Sequence, residues 1–225
     1  MLESKFIYRL TFSKIDKMVF IGHLDLMKIF QRSIKRAKLP IAYSKGFNPH
    51  QLMSFALPLS LGTIGLAEIL EIELETKLDE LEITKKLNLV LPKGIYVKES
   101  RLLEPREKSA ASTITSAVYE IIFPFEIKNH DQIIEDILSE KEIIVLKKTK
   151  RDEKEVDVRG DIFSLHSKVE NINEAVSTIV QAHISAGSQR NLKSGIVTKI
   201  ICDKACIDFS QVEARYVRVK FDWKR

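Results

Sequence analysis

FIYRLTFSKIDKMVFIGHLDLMKIFQRSIKRAK, residues 6–38, carries two hydrophobic periods in succession. Phe6, Tyr8, Leu10 and Phe12 alternate with Ile7, Arg9, Thr11 and Ser13, the period of a strand with one buried face. From Leu24 to Lys38 the period lengthens. Leu26, Met27, Phe30, Ile34 and Ala37 fall on one arc of a helical wheel, and Lys28, Arg32, Lys35 and Arg36 on the opposite arc. This predicts an amphipathic helix with a basic outer face, stopped by Leu39-Pro40. Outward from that pair, IAYSKGFNPHQ holds Gly46 and Asn48-Pro49, residues that favour turns, so a structured loop follows the helix. LMSFALPLS and AEILEIELE predict a hairpin around Gly62 and Gly65. In its second strand Leu70, Ile72 and Leu74 alternate with a wet face of Glu71, Glu73 and Glu75. DELEITKKLNLVLP predicts a second helix and GIYVKESRLLE a further strand, giving the order βαββαβ.

Between residues 104 and 117 periodicity vanishes into small polar residues with one Pro, which places a domain linker there. Beyond it VYEIIFPFE predicts a strand, with Pro124 at a bulge or strand end because it donates nothing to a ladder. HDQIIEDILSEK predicts a helix, EIIVLKKTK a strand, VDVRGDIFSLHSK one or two shorter strands, STIVQAHISAG a strand, NLKSGIVTKIICDKA a helix and YVRVKFDW a last strand. The expected architecture is α+β: two ferredoxin-like domains in tandem, residues 1–105 and 116–225, each with helices on one face of its sheet.

The 225 residues hold 36 Lys plus Arg against 31 Asp plus Glu, a formal +5. That charge is regional. Residues 1–50 contain 10 Lys plus Arg and 3 Asp plus Glu, so they carry +7 and the remainder −2, whereas residues 68–82 hold seven acids against Lys77. An anionic ligand is drawn to one part of such a surface. A hydrophobic share of 44% makes the chain a folded one rather than a disordered one. No apolar run reaches the roughly 18 residues of a membrane span, and MLESKFIYRL lacks the apolar stretch of a signal peptide. The expectation is a cytoplasmic protein with Cys202 and Cys206 reduced.

Candidate functional residues are densest between Gly22 and His50. His23 and Asp25 open the basic helix, where an acid in the first turn commonly serves the helix dipole. Helix-terminal N–H groups, Lys45, Asn48 and His50 also offer donors to a phosphate, so the loop Tyr43, Ser44, Lys45, Gly46, Phe47, Asn48, Pro49, His50 reads as an anion pocket as well as a turn. From Met27 to Lys38 five cations stand with no acid, which denies the helix the i,i+4 pairs of an ordinary solvated face. Tyr43 and Phe47 either stack on unpaired bases beside that face or belong to the core. Farther on, Arg190, Asn191 and Lys193 open a predicted helix and reach for phosphate in the same way. Lys147-Lys148-Thr149-Lys150-Arg151 reads as a hairpin tip with exposed cations. Cys202 and Cys206 lack the further ligands of a zinc or iron–sulfur site, and no P-loop, GxSxG or HExxH is present. Neither a metal nor a cofactor is expected, and no complete catalytic template is found.

The string FIGHLDLMKIFQRSIKRAKLPIAYSKGFNPHQLMSFALPLSLGT, with AEILEIEL after it and KEVDVR (154–159) and GSQRNLK (187–193) later, resembles the uncharacterised radical-SAM-linked proteins of bacteria. The resemblance covers nearly the whole chain and marks Gly22, His23, Asp25, Ser44, Gly46, Phe47, Asn48, Pro49, His50, Arg190 and Asn191 as motif residues. It implies a companion of a radical SAM protein, because the cluster-binding CxxxCxxC is missing here. In architecture alone the chain looks like pseudouridine synthases and CRISPR repeat-processing RNases, although SKGFNPHQ lacks the catalytic Asp that pseudouridine synthases carry in that loop. Three functions follow as expectations. The first is an RNA-binding module presenting tRNA or rRNA to the radical SAM partner through Lys28, Arg32, Lys35, Arg36, the 43–50 loop and Arg190, Asn191 and Lys193. The second is an RNA-processing or RNA-modifying enzyme using His23, Asp25 and His50, which must then converge within hydrogen-bond reach. The third is a protein adaptor anchored by Phe47.

Overall fold

The computed structural model describes residues 6–148, 153–172 and 174–224. They form two compact α+β units that divide between Ile114 and Thr115. In the first, β1 (Phe6–Lys14), α1 (His23–Arg36), β2 (Met53–Phe55), β3 (Ile64–Leu74), α2 (Glu80–Asn88) and β4 (Ile95–Leu102) follow the expected order. β1 runs antiparallel to both β3 and β4, and β2 lies on the far side of β3, so the strands stand in the order β4-β1-β3-β2.

The alternation of β1 resolves into a core face. Tyr8, Leu10 and Phe12 are wholly buried, register with Ile72, Leu70 and Glu68 of β3, and pack with Leu26, Phe30 and Ile34 of α1 and Ile83 and Leu87 of α2. Each such side chain contributes about 1.5–3 kcal/mol by leaving water, and Phe12 meets Phe30 edge to face at 4.9 Å. The helix closes before Pro40. Lys38 adopts a left-handed φ of 53°, its N–H bonds the Lys35 carbonyl, and Leu39 N–H reaches back to Ile34, a Schellman stop made without glycine. Gly62 takes the turn between β2 and β3 at φ +79°, but Gly65 lies within β3. A Cβ there would sit 2.5 Å from the buried Glu68 side chain, so glycine makes room for that acid.

The expected wet face of β3 is dry at Glu71. Arg9 stands opposite on β1, and its Nε and Nη2 donate to Glu71 Oε1 at 2.9 and 2.7 Å. The Ala110 N–H donates to the same oxygen at 2.9 Å. Arg9 Nη1 and both Arg101 Nη atoms hold Glu107. The stretch around residues 104–117 is therefore ordered: Glu107 and Ala110 pin it to the sheet, residues Ala110–Thr113 form the one-turn helix α3, and β5 begins at Ile114. Loss of periodicity in sequence here reflects polar anchoring rather than slack chain. The Arg101 guanidinium, with its hydrogen bonds, holds the Glu107 carboxyl down from 4.5 to about 2. A depressed carboxyl stabilises the fold above the unfolded value and stops doing so as pH falls through the folded one. The stability difference between the native chain and Glu107→Gln is thus expected to be full above pH 4.5 and to vanish as pH falls toward about 2, read as paired denaturation midpoints. A difference independent of pH would contradict the clamp.

The second unit comprises β5 (Ile114–Phe123), α4 (His130–Ser139), β6 (Ile144–Lys148), β7 (Glu153–Asp157), β8 (Ile162–Ile172), β9 (Ala175–Ser185), α5 (Ser194–Lys204) and β10 (Arg215–Trp223). β9 is antiparallel to β5 and to β8, and β10 neighbours β5, giving β10-β5-β9-β8. Among the described residues β6 and β7 pair only with each other as a separate hairpin, so the strand expected in EIIVLKKTK and one of the short strands expected in VDVRGDIFSLHSK leave the sheet. With that hairpin set aside, both units order their strands fourth, first, third, second. Pro124 sits just past β5, where no ladder N–H is missed. Thr149, Lys150 and Arg151 of the basic hairpin tip lie outside the described residues. Cys202 and Cys206 are free thiols, and burial pushes the Cys202 thiol up. No helix among the described residues is long and apolar enough to cross a membrane.

Candidate functional site

The inner arc of α1 is spent on the core, which turns Lys28, Arg32, Lys35 and Arg36 outward, all four exposed. They are not equivalent. Lys28 makes a loose surface pair with Asp25 at 3.4 Å, a contact worth little in water. Arg36 donates to the Val90 carbonyl at 3.0 Å and ties the end of α1 to the chain beyond α2. Arg32 and Lys35 make no hydrogen bond or ion pair among the described residues. Two cations of the stripe are thus uncompensated, and no acid follows Asp25 on the helix.

The loop after α1 is tied off at its neck. Tyr43 bridges Gln51, Ser44 N–H donates to the His50 carbonyl at 2.9 Å, and His50 N–H donates to Ser44 Oγ at 3.1 Å. Ser44 Oγ also lies 2.8 Å from His50 Nδ1. One serine therefore closes the loop from both ends, and Gly46, at φ +132°, makes a bend that an L side chain rarely adopts. Phe47 projects fully exposed, Tyr43 is partly exposed, and Asn48 and His50 are exposed beside them. Neither aromatic belongs to the core, which settles that alternative. Below the neck, buried Gln51 donates from Nε2 to the Gln31 carbonyl of α1 at 3.3 Å, while its Oε1 has no partner among the described residues. Gln51 thereby fixes the loop beside the helix. Nothing in the sequence marks it, because a buried glutamine breaks no period.

His23 packs edge to face on Phe55 at 5.3 Å, at the far end of α1 from Arg36. The loop is anchored at Gln31, about 12 Å along the helix from His23 at 1.5 Å per residue. Asp25 pairs with Lys28 and His50 with Ser44; no hydrogen bond or ion pair joins any two of His23, Asp25 and His50. Among the described residues these three side chains are thus each engaged with other neighbours and not hydrogen-bonded to one another. Among the described residues no three His, Cys, Asp or Glu side chains gather to hold a metal ion.

Arg190, Asn191 and Lys193 lie in the second unit. Arg190 is already engaged, with Nε 2.7 Å from Asp161 Oδ1 and Nη2 donating to Oδ2 at 3.0 Å. Asn191 bridges Ala186, and Lys193 caps α5 without a side-chain bond. Asp157 accepts from Ile143 and Arg159 N–H, bonds that hold its carboxyl below the usual range. Arg159 donates to the Leu138 and Ile162 carbonyls. The two later stretches, KEVDVR and GSQRNLK, are thus brought together through Asp161, a residue that sequence reasoning missed because its partner is 29 positions away.

No curated protein matches the chain. A solved structure described as an unknown protein from Galdieria sulphuraria is 11% identical over 96% of this chain and 100% of that one, with a TM-score of 0.28, a likeness that carries neither fold nor function. A family model matches residues 7–194, a span that includes the α1 stripe, the 43–51 loop and Arg190. The chain belongs to that family, DUF2344, described as an uncharacterized protein conserved in bacteria.

Proposed function

We propose that the chain is a cytoplasmic RNA-binding accessory module, built of two ferredoxin-like units, that presents tRNA or rRNA to a radical SAM partner. The strand order shared by the two units supports the fold reading, and the resemblance of the long first motif supports the partner. The observation that carries RNA binding is one juxtaposition. The helix that carries Arg32 and Lys35 uncompensated is tied through its Gln31 carbonyl to Gln51, at the foot of a hydrogen-bonded loop that holds Phe47 out in solvent. Cations steer and hold phosphates without reading sequence, and an exposed aromatic beside them stacks on an unpaired base.

The test is fluorescence anisotropy with labelled single-stranded RNA across a salt series. Affinity is expected to fall with a log–log slope of about −0.7 per phosphate held, so about −2 for three contacts. Absent binding, or binding indifferent to salt, overturns the reading. Because Phe47 buries nothing, Phe47→Ala is expected to leave the melting temperature unchanged while weakening RNA about tenfold, the worth of one stacked base.

A second reading, a protein adaptor, is favoured by Phe20, Leu24 and Leu61. All three are exposed, and the Gly62 N–H bond to the Val19 carbonyl brings Leu61 near Phe20. Recovery of the radical SAM partner after nuclease treatment, with no bound RNA, would select it.

A further inference from the structure

The register of β5, β9 and β8 sets a grid of side chains on one face of the second unit's sheet. Glu120, Gln181 and His166 stand directly opposite one another in a row across the three strands. The row on one side is Ile122, Ile179 and Lys168, and the row on the other is Val118, His183 and Ser164. Over the central row and the Ile179–Lys168 row lies a concavity of about 220 Å³ lined by Glu120, His166, Ser167, Lys168, Ile179 and Gln181. That is below the roughly 300–1,000 Å³ of pockets for drug-sized ligands and suits a single ring system.

The central row is unlike the other polar clusters of the chain. Asp161, Glu71 and Glu107 all have cationic partners, whereas Glu120, Gln181 and His166 make no hydrogen bond or ion pair among the described residues. An acceptor-only carboxylate, an amide that both donates and accepts, and an aromatic ring thus stand without hydrogen bonds over an apolar floor at Ile179, with the Lys168 ammonium at the rim, bonded to Glu170 at 2.7 Å and within the field of Glu120.

We propose that this concavity holds one nucleobase bearing an exocyclic amino group, an assignment that rests on the RNA-binding reading where the base belongs to RNA. The Glu120 carboxylate accepts from the amino group, the Gln181 amide pairs with the neighbouring ring position, His166 supplies a stacking ring and Lys168 approaches the phosphate. Uracil sets a carbonyl against the carboxylate and is rejected, because a site built for a donor discriminates strongly against its absence. The base sits in a single strand, since its pairing edge is in use.

The test titrates the full chain with short labelled oligo(A), oligo(C) and oligo(U), and with AMP and UMP. A and C are expected to bind about tenfold tighter than U, the worth of a hydrogen bond to a charged group. In Glu120→Gln, whose amide serves either kind of edge, the preference narrows to about twofold with the melting temperature unchanged. Equal binding of A, C and U by the native chain, or a preference that survives in Glu120→Gln, overturns the site. Binding that is lost on reversing the α1 cations but is blind to the base sinks the site and leaves the RNA module standing. AMP preferred over UMP with no oligomer bound keeps the site as one for free nucleotides and sinks the module. If nothing binds, both fall.

Discussion

Reversing Lys28, Arg32 and Lys35 together to Glu is expected to lower RNA affinity at least about a hundredfold at moderate salt and to flatten the salt dependence by about 2 log units per log unit, three phosphate contacts at roughly 0.7 each. The effect is large because the change swings six charges on one face and places acids where phosphates sit. It is also clean. Leu26, Phe30 and Ile34 carry the packing of α1 from the opposite arc, so the reversed chain should keep its helical circular dichroism and melting temperature. Only Lys28 gives up a contact, its loose pair with Asp25. A reversed chain that binds RNA as well as the native one would move the interface away from α1 altogether.

Glu71→Ala is expected to destabilise the first unit by about 3 kcal/mol, the low end of the range for breaking a buried ion pair. The Arg9 and Glu71 side chains are only 11% and 8% exposed. Removing the acid strips Arg9 of its bidentate partner and leaves the Ala110 N–H without its acceptor. Glu107 still meets Arg9 Nη1, which keeps the cost from being larger. The paired replacement Arg9→Met with Glu71→Leu removes the charges together and is expected to recover most of the loss, since a well-packed apolar pair often equals a buried ionic one. The readout is amide hydrogen exchange across β1 and β3. The single tryptophan, Trp223, lies in β10 and reports on the other unit. Protection in β1 and β3 unchanged by Glu71→Ala would show that the pair adds nothing.

Period carried much of the first unit into view. A strand of wholly alternating residues from Phe6 to Phe12 and a helix whose apolar arc holds Phe30 and Ile34 have few other ways to bury themselves, and their order follows. Partners at long range were not legible. Nothing in LEIELE separates Glu71, dried by Arg9 and Ala110, from Glu75, which stays exposed. Equally, nothing in VDVRGDIF says that the strand before Arg159 pairs into a hairpin off the sheet. The candidate site divides along the same line. Its charges were visible as an imbalance from Met27 to Lys38, but which of them remain uncompensated depends on Asp25 and on the Val90 carbonyl. The loop's turn residues were visible too; its closure comes from three hydrogen bonds between Ser44 and His50, and its position from Gln51 reaching Gln31. Arg190 looked available for phosphate because its partner Asp161 is distant in sequence.

The most direct test is ultraviolet crosslinking of the full chain to bound RNA, with the modified residues mapped by mass spectrometry. RNA held against α1 and the closed loop should leave adducts on Tyr43 and Phe47 and on peptides spanning Lys28 to Lys45, and these should disappear when Lys28, Arg32 and Lys35 are reversed. Adducts absent from that segment, or unchanged by the reversal, would contradict an RNA interface built on the basic helix and its loop.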